Sequence, residues 1–90
     1  MKIIKRHVYC ANNQEHTLQA SVYQKTANEA VEKAGFSPTL DSTPRVAVQF
    51  DNDVWSVVSN DIEHPELEAI AAEAVENMID AIERVIKGLL

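Results

Sequence analysis

The spacing of hydrophobic positions changes several times along the chain. Between residues 17 and 22, Leu18, Ala20 and Val22 alternate with Thr17, Gln19 and Ser21, the period of two expected of a half-buried strand. Upstream, Ile4, Val8 and Cys10 share a face opposite Lys5, His7 and Tyr9, while Arg6 interrupts that face and is expected at an edge. Residues paired across an antiparallel ladder point to the same side of the sheet. Pairing Val8 with Leu18 therefore keeps apolar against apolar and leaves a three-residue loop at residues 12–14. Asparagines 12 and 13 tolerate the left-handed backbone such loops need. The pattern predicts a first hairpin over residues 3–23.

Thr26-Ala27-Asn28-Glu29 then fits a capping box, in which the hydroxyl accepts from the third backbone N–H and Glu29 reaches back. A short helix follows, with Ala27, Ala30, Val31 and Ala34 on one side. Gly35 suits the left-handed position that ends it, and Phe36 is placed to fold over the helix end. Residues 37–44, with two prolines, form the longest irregular stretch. A second hairpin spans residues 45–59 and turns at Asp51-Asn52-Asp53. Val46, Val48 and Phe50 alternate with Arg45, Ala47 and Gln49, whereas residues 54–58 are apolar on both faces. That return strand is expected in the centre of the sheet, covered on both sides, with its register open.

From Pro65, a favourable first helical residue, nothing breaks a helix before Lys87, and Gly88 is a plausible stop. These twenty-three residues span roughly 35 Å at 1.5 Å each, whereas a seven-residue strand covers only about 23 Å. The expected fold is thus α+β, in the order ββαββα: a four-stranded antiparallel sheet from two hairpins, with a short helix and a long C-terminal helix on one face. All 90 residues are read as a single domain, 1–90.

The long helix has a wide apolar face. At 100° per residue, the large apolar side chains from Leu67 to Leu90 occupy an arc of roughly 200°, about twice what one packing partner requires. Ala71, Val75, Met78, Ile82, Val85 and Leu89 repeat at alternating four and three, the spacing of a coiled-coil seam, flanked by Ile70, Ile79 and Ile86. One reading buries the helix between the sheet and the first helix. The sharper one packs one flank on the sheet and the other on a second copy, because a short, alanine-rich first helix cannot cover 35 Å. The expected homodimer interface comprises Met78, Ile79, Ile82, Val85, Ile86 and Leu89.

Charge narrows the partners. The net charge is −6. Residues 1–44 carry five bases against four acids, and residues 45–90 carry three bases against ten acids. Phosphate backbones are bound by clustered Lys and Arg, so neither nucleic acid nor an anionic membrane surface is expected as a partner. Glu73, Glu76, Asp80 and Glu83 are spaced three and four along one helix face, usually a solvated row, and here a candidate surface for a basic protein.

Candidate chemistry is sparse. Cys10 is the only cysteine, which rules out an intrachain disulfide framework and favours a cytoplasmic protein. The N-terminus lacks the unbroken apolar run of a secretory signal, and no stretch reaches the length of a membrane span. The first-hairpin register sets Cys10 near His16, a thiol–imidazole pair with no orienting group announced nearby. Three scattered histidines and one cysteine do not make a zinc site. Asp51-Asn52-Asp53 opens like a calcium loop, but Ser56 and Ile62 stand where glycine and glutamate belong. Glu63-His64-Pro65-Glu66 reads as helix-start acids favoured by the dipole. The two glycines, Gly35 and Gly88, both sit at helix ends, so no phosphate-cradling loop is present. No cofactor and no metal are expected.

Trp55 and Tyr9 are the residues expected to line any cavity between sheet and helices. The resulting expectation is a non-catalytic, homodimeric accessory or inhibitor module acting through protein contacts. The alternative is a small-molecule binding domain with an apolar pocket between the sheet and the long helix.

Overall fold

A computed structural model describes residues 2–6, 13–51 and 54–89. The elements are β1 (Lys2–Arg6), α1 (Asn13–Lys33), β2 (Thr39–Leu40), β3 (Thr43–Pro44), β4 (Val46–Asp51), β5 (Val54–Ser59) and α2 (Glu66–Leu89). The α+β composition is as expected. The ββαββα order and the four-stranded sheet are not: among the described residues the main sheet has three strands in the order β1-β5-β4, and β2 and β3 form a separate two-stranded ribbon.

The difference lies in residues 17–23, which belong to α1 rather than to a strand. Ala20 serves both periods, as the middle of an alternating triplet and as the start of a helical one. Tyr23, Ala27 and Val31 are fully or almost fully buried, with Ala20 packed against them. The spacing of three, four and four runs straight through the segment read as a strand end and outlasts its six residues of alternation. Thr26 is accordingly mid-helix, its hydroxyl donating to the Val22 carbonyl at 2.9 Å rather than capping an N-terminus. At about 1.5 Å per residue, the 21 residues of α1 are no shorter a rod than the sheet requires.

At its far end α1 closes as its sequence implies. Gly35 takes φ +96°, its N–H bonds the Glu32 carbonyl, and the Phe36 N–H reaches the Val31 carbonyl at 3.2 Å. This is a Schellman closure, and Phe36 folds against the core.

With no strand from residues 17–23 available, β1 pairs antiparallel with β5. Lys2 faces Val57 and Ile3 faces Ser56, but Lys5 faces Trp55, so one extra residue, Ile4, is accommodated as a bulge. β1 is an edge strand, the position expected for Arg6. The β4–β5 hairpin forms as predicted. Its register, open in the sequence, runs from Val46 opposite Ser59 to Asp51 opposite Val54. The central position of β5 also agrees.

Both helices pack on one face of this sheet. Phe36, just after α1, packs against His64, just before α2, with tilted rings whose centroids are 4.7 Å apart, so the helices run antiparallel. Between them and the sheet lies one cluster built around Trp55 with Tyr23, Val31, Val46, Val57, Leu67, Val75 and Ile79. Tyr23 meets Trp55 edge-on at 4.8 Å and Phe50 approaches it at 4.9 Å. On the opposite face Ile3, Gln49 and Asp51 are exposed. Among the described residues no helix packs on that face, yet Ser56, which points to it from the centre of β5, is only 5% exposed.

Helix α2 has 24 residues, about 36 Å, against six residues of β5, about 20 Å. The overhang shows in the shape of the chain, 43 × 22 × 19 Å.

Candidate interaction surface

The C-terminal half of α2 carries the predicted seam out from under the sheet. Ala71 and Val75 are buried in the core, Met78 and Ile82 only partly so, and Val85 is 64% exposed. Ile79, expected at the interface, is instead buried within the chain. It belongs to the same buried cluster as Trp55. The side chains of Ile86 and Leu89 lie outside the described residues.

The premise that the first helix is too short to cover α2 does not hold. Helix α1 lies alongside α2 and accounts for much of the wide apolar arc. What α1 leaves open is a groove of about 400 Å³ between the two helices. Because Tyr23, Ala27 and Val31 point to the core, the groove is on the side away from the sheet. Thr26, Glu29, Ala30 and Lys33 line it from α1, and Ala74, Asn77, Met78 and Ala81 from α2. Val22, one turn before Thr26 and partly exposed, continues the α1 side of this strip. Reading residues 17–22 as a strand concealed Val22 as a surface residue.

The acidic row divides. Glu73 and Glu76 are exposed, whereas Asp80 and Glu83 are half-buried and already engaged by contacts within the chain. Only the first pair offers charge freely to a partner.

Trp55 is 0% exposed. Wedged between Tyr23 and Phe50, it has no surface to present to a ligand. Tyr9, the other predicted pocket residue, lies outside the described residues, as do Val8, Cys10, Asn52 and Asp53. His16 is in α1, so the hairpin that set it opposite Cys10 does not exist. Among the described residues no group of three or more His, Cys, Asp and Glu side chains converges on a point that could hold a metal ion. Among the described residues no helix is long and apolar enough to cross a membrane.

A feature absent from the sequence reading is the device that closes the free edge of β4. Gln24 of α1 donates through Nε2 to the Val46 carbonyl at 2.9 Å, and its Oε1 accepts the Val48 N–H at 2.9 Å. The same Nε2 lies 3.1 Å from Asn28 Oδ1. A side-chain amide thus takes the place of a neighbouring strand, which protects an edge from pairing with another chain.

Compared with known proteins, the chain matches no family model, no curated protein and no solved structure.

Proposed function

We propose that this chain is a non-catalytic protein–protein interaction module that pairs with a second copy through the overhanging end of α2 and the adjoining α1–α2 groove. The observation that carries the reading is Val85, an aliphatic side chain 64% exposed at the end of a stripe that begins in the core. Exposed Ala81 and half-buried Met78 and Ile82 lie beside it, making a strip of small and apolar residues rather than an isolated one. A two-fold pairing of antiparallel helix pairs would cover this strip on both copies at once. Glu73 and Glu76 would remain outside as an acidic surface for a basic partner.

The single cysteine fits a cytoplasmic setting. The alternative of an apolar ligand pocket between sheet and α2 draws no support from Trp55, which is core. Sedimentation equilibrium tests the proposal: the expected particle has twice the 10.0 kDa of one chain. A single-chain mass at high micromolar concentration would remove it.

A further inference from the structure

At the opposite end of α2, the turn that enters the helix is braced from four directions. Asp61 Oδ1 accepts the Glu63 N–H at 3.1 Å. The Asp61 carbonyl accepts the His64 N–H at 3.3 Å and the Ser59 hydroxyl at 3.2 Å. Asp61 Oδ2 is bound by Arg45 Nη1, with side chains only 5% and 16% exposed. Arg45 Nε in turn donates to the Ser37 carbonyl at 2.6 Å, and the guanidinium sits over the Phe36 ring. Asn60 ties the same turn to the Pro44 carbonyl through its side chain and to the Arg45 carbonyl through its backbone.

In the middle of this braced turn Ile62 is 96% exposed. Across a cleft of about 370 Å³ stands Leu40, 43% exposed, with Arg45, Asp61, Glu63 and His64 lining the space between. Leu40 is held on its own tight turn, where Asp41 adopts φ +59°. A single exposed aliphatic side chain needs no explanation. Two of them flanking a cleft, each on a turn already ordered by the fold, form a surface whose ordering cost need not be met on binding.

Charge says what fits there. The Arg45 charge is taken up by Asp61, which leaves exposed Glu63 as the acid lining the cleft, with exposed Asp41 next to Leu40 and exposed Glu66 beside the cleft, 3.2 Å from His64 Nδ1. Like-charged rims would face each other if a second copy docked at this cleft, which disfavours self-association. We infer that the Leu40–Ile62 cleft docks a short segment of a partner protein that presents apolar side chains flanked by Lys or Arg. The inference does not rest on dimerisation, since Ile62 precedes α2 and Val85 lies near its other end.

The probe is a capped synthetic peptide of alternating Leu and Lys, titrated into the ¹⁵N-labelled protein. Amide shifts should change at Leu40, Arg45, Ile62, Glu63 and His64. Ile62→Ser should weaken binding about tenfold, as loss of an anchor side chain does, and Glu63→Gln should weaken it less. Because Ile62 is almost wholly exposed, the variant should melt at the wild-type temperature, and sedimentation should give the wild-type mass. A peptide with Ser in place of Leu should bind poorly, and one with Glu in place of Lys should not bind. The inference is overturned by no shifts at all, or by shifts confined to the Glu73–Glu76 region. Equal binding of the Ser peptide, or unchanged affinity in Ile62→Ser, would also sink it. A fall in sedimenting mass for that variant would make the cleft a self-interface instead.

Discussion

Leu67 and Val85 occupy the same angular position on α2, eighteen residues and five turns apart, yet Leu67 is fully buried and Val85 is 64% exposed. Their side chains leave the helix in the same direction, and what differs is the sheet beneath them. Leu67→Ala should therefore cost about 2–5 kcal/mol of fold stability, as truncations in a packed core do. Val85→Ser should leave the denaturation midpoint of the single chain almost unchanged but shift sedimentation toward the monomer. Equal effects of the two substitutions on stability would show that α2 is buried evenly along its length.

The Gln24 clamp on β4 makes a second expectation. Gln24→Ala removes partners from the Val46 carbonyl and the Val48 N–H together, each partly buried group costing about 1–3 kcal/mol when left unsatisfied. Water can reach part of this site, so a total near the lower bound is expected by urea denaturation. The freed edge should also raise aggregation, measured by light scattering at matched folded fraction. Gln24→Glu, which keeps an acceptor for Val48 but loses the donor to Val46, should fall between.

Gly35 is used for its backbone, not for space. No heavy atom lies within 4 Å of where a Cβ would be, but φ is +96°. Gly35→Ala should destabilise by about 1–2 kcal/mol, the strain of a left-handed residue with a Cβ. Gly35→Asn should be milder, since asparagine is the other residue that commonly ends helices this way. A neutral alanine substitution in thermal melts would show that the helix end relaxes out of the Schellman geometry.

The Arg45–Asp61 pair should behave as a unit. Arg45→Met leaves a carboxylate that is almost buried without its cation, at a cost of about 3–5 kcal/mol. The double variant Arg45→Met, Asp61→Leu should lose less than the two single variants add up to, and a double-mutant cycle measures the difference. Asp61→Asn should cost less than Asp61→Ala, because the amide oxygen can still accept the Glu63 N–H that shapes the turn. Strict additivity in the cycle would mean that each residue acts through its other bonds alone.

Much of this protein is legible along the chain because it is decided locally. The β4–β5 hairpin follows from alternation around a polar turn, and α2 from an uninterrupted period after Pro65. The end of α1 follows from Gly35, and the overhang of α2 from comparing rise per residue in helix and strand. The partner of β1 is not local. Val54, Trp55, Ser56, Val57 and Val58 carry no alternation to set a register, and the pairing of β1 with the first four of them across some fifty residues, with a bulge at Ile4, is settled by three-dimensional packing. Nor could six alternating residues decide between strand and helix for 17–22, since Ala20 fits both periods. The choice falls to Tyr23, which must reach Trp55 from a helix. The same packing turned Ile79 inward and left Val85 outside. It also brought Leu40 and Ile62, twenty-two residues apart and without a shared period, to the two sides of one cleft. Turn chemistry and periodicity act within a few residues, so the sequence determines them directly. Register, burial and the meeting of distant side chains depend on which surfaces cover which, and only the folded chain decides that.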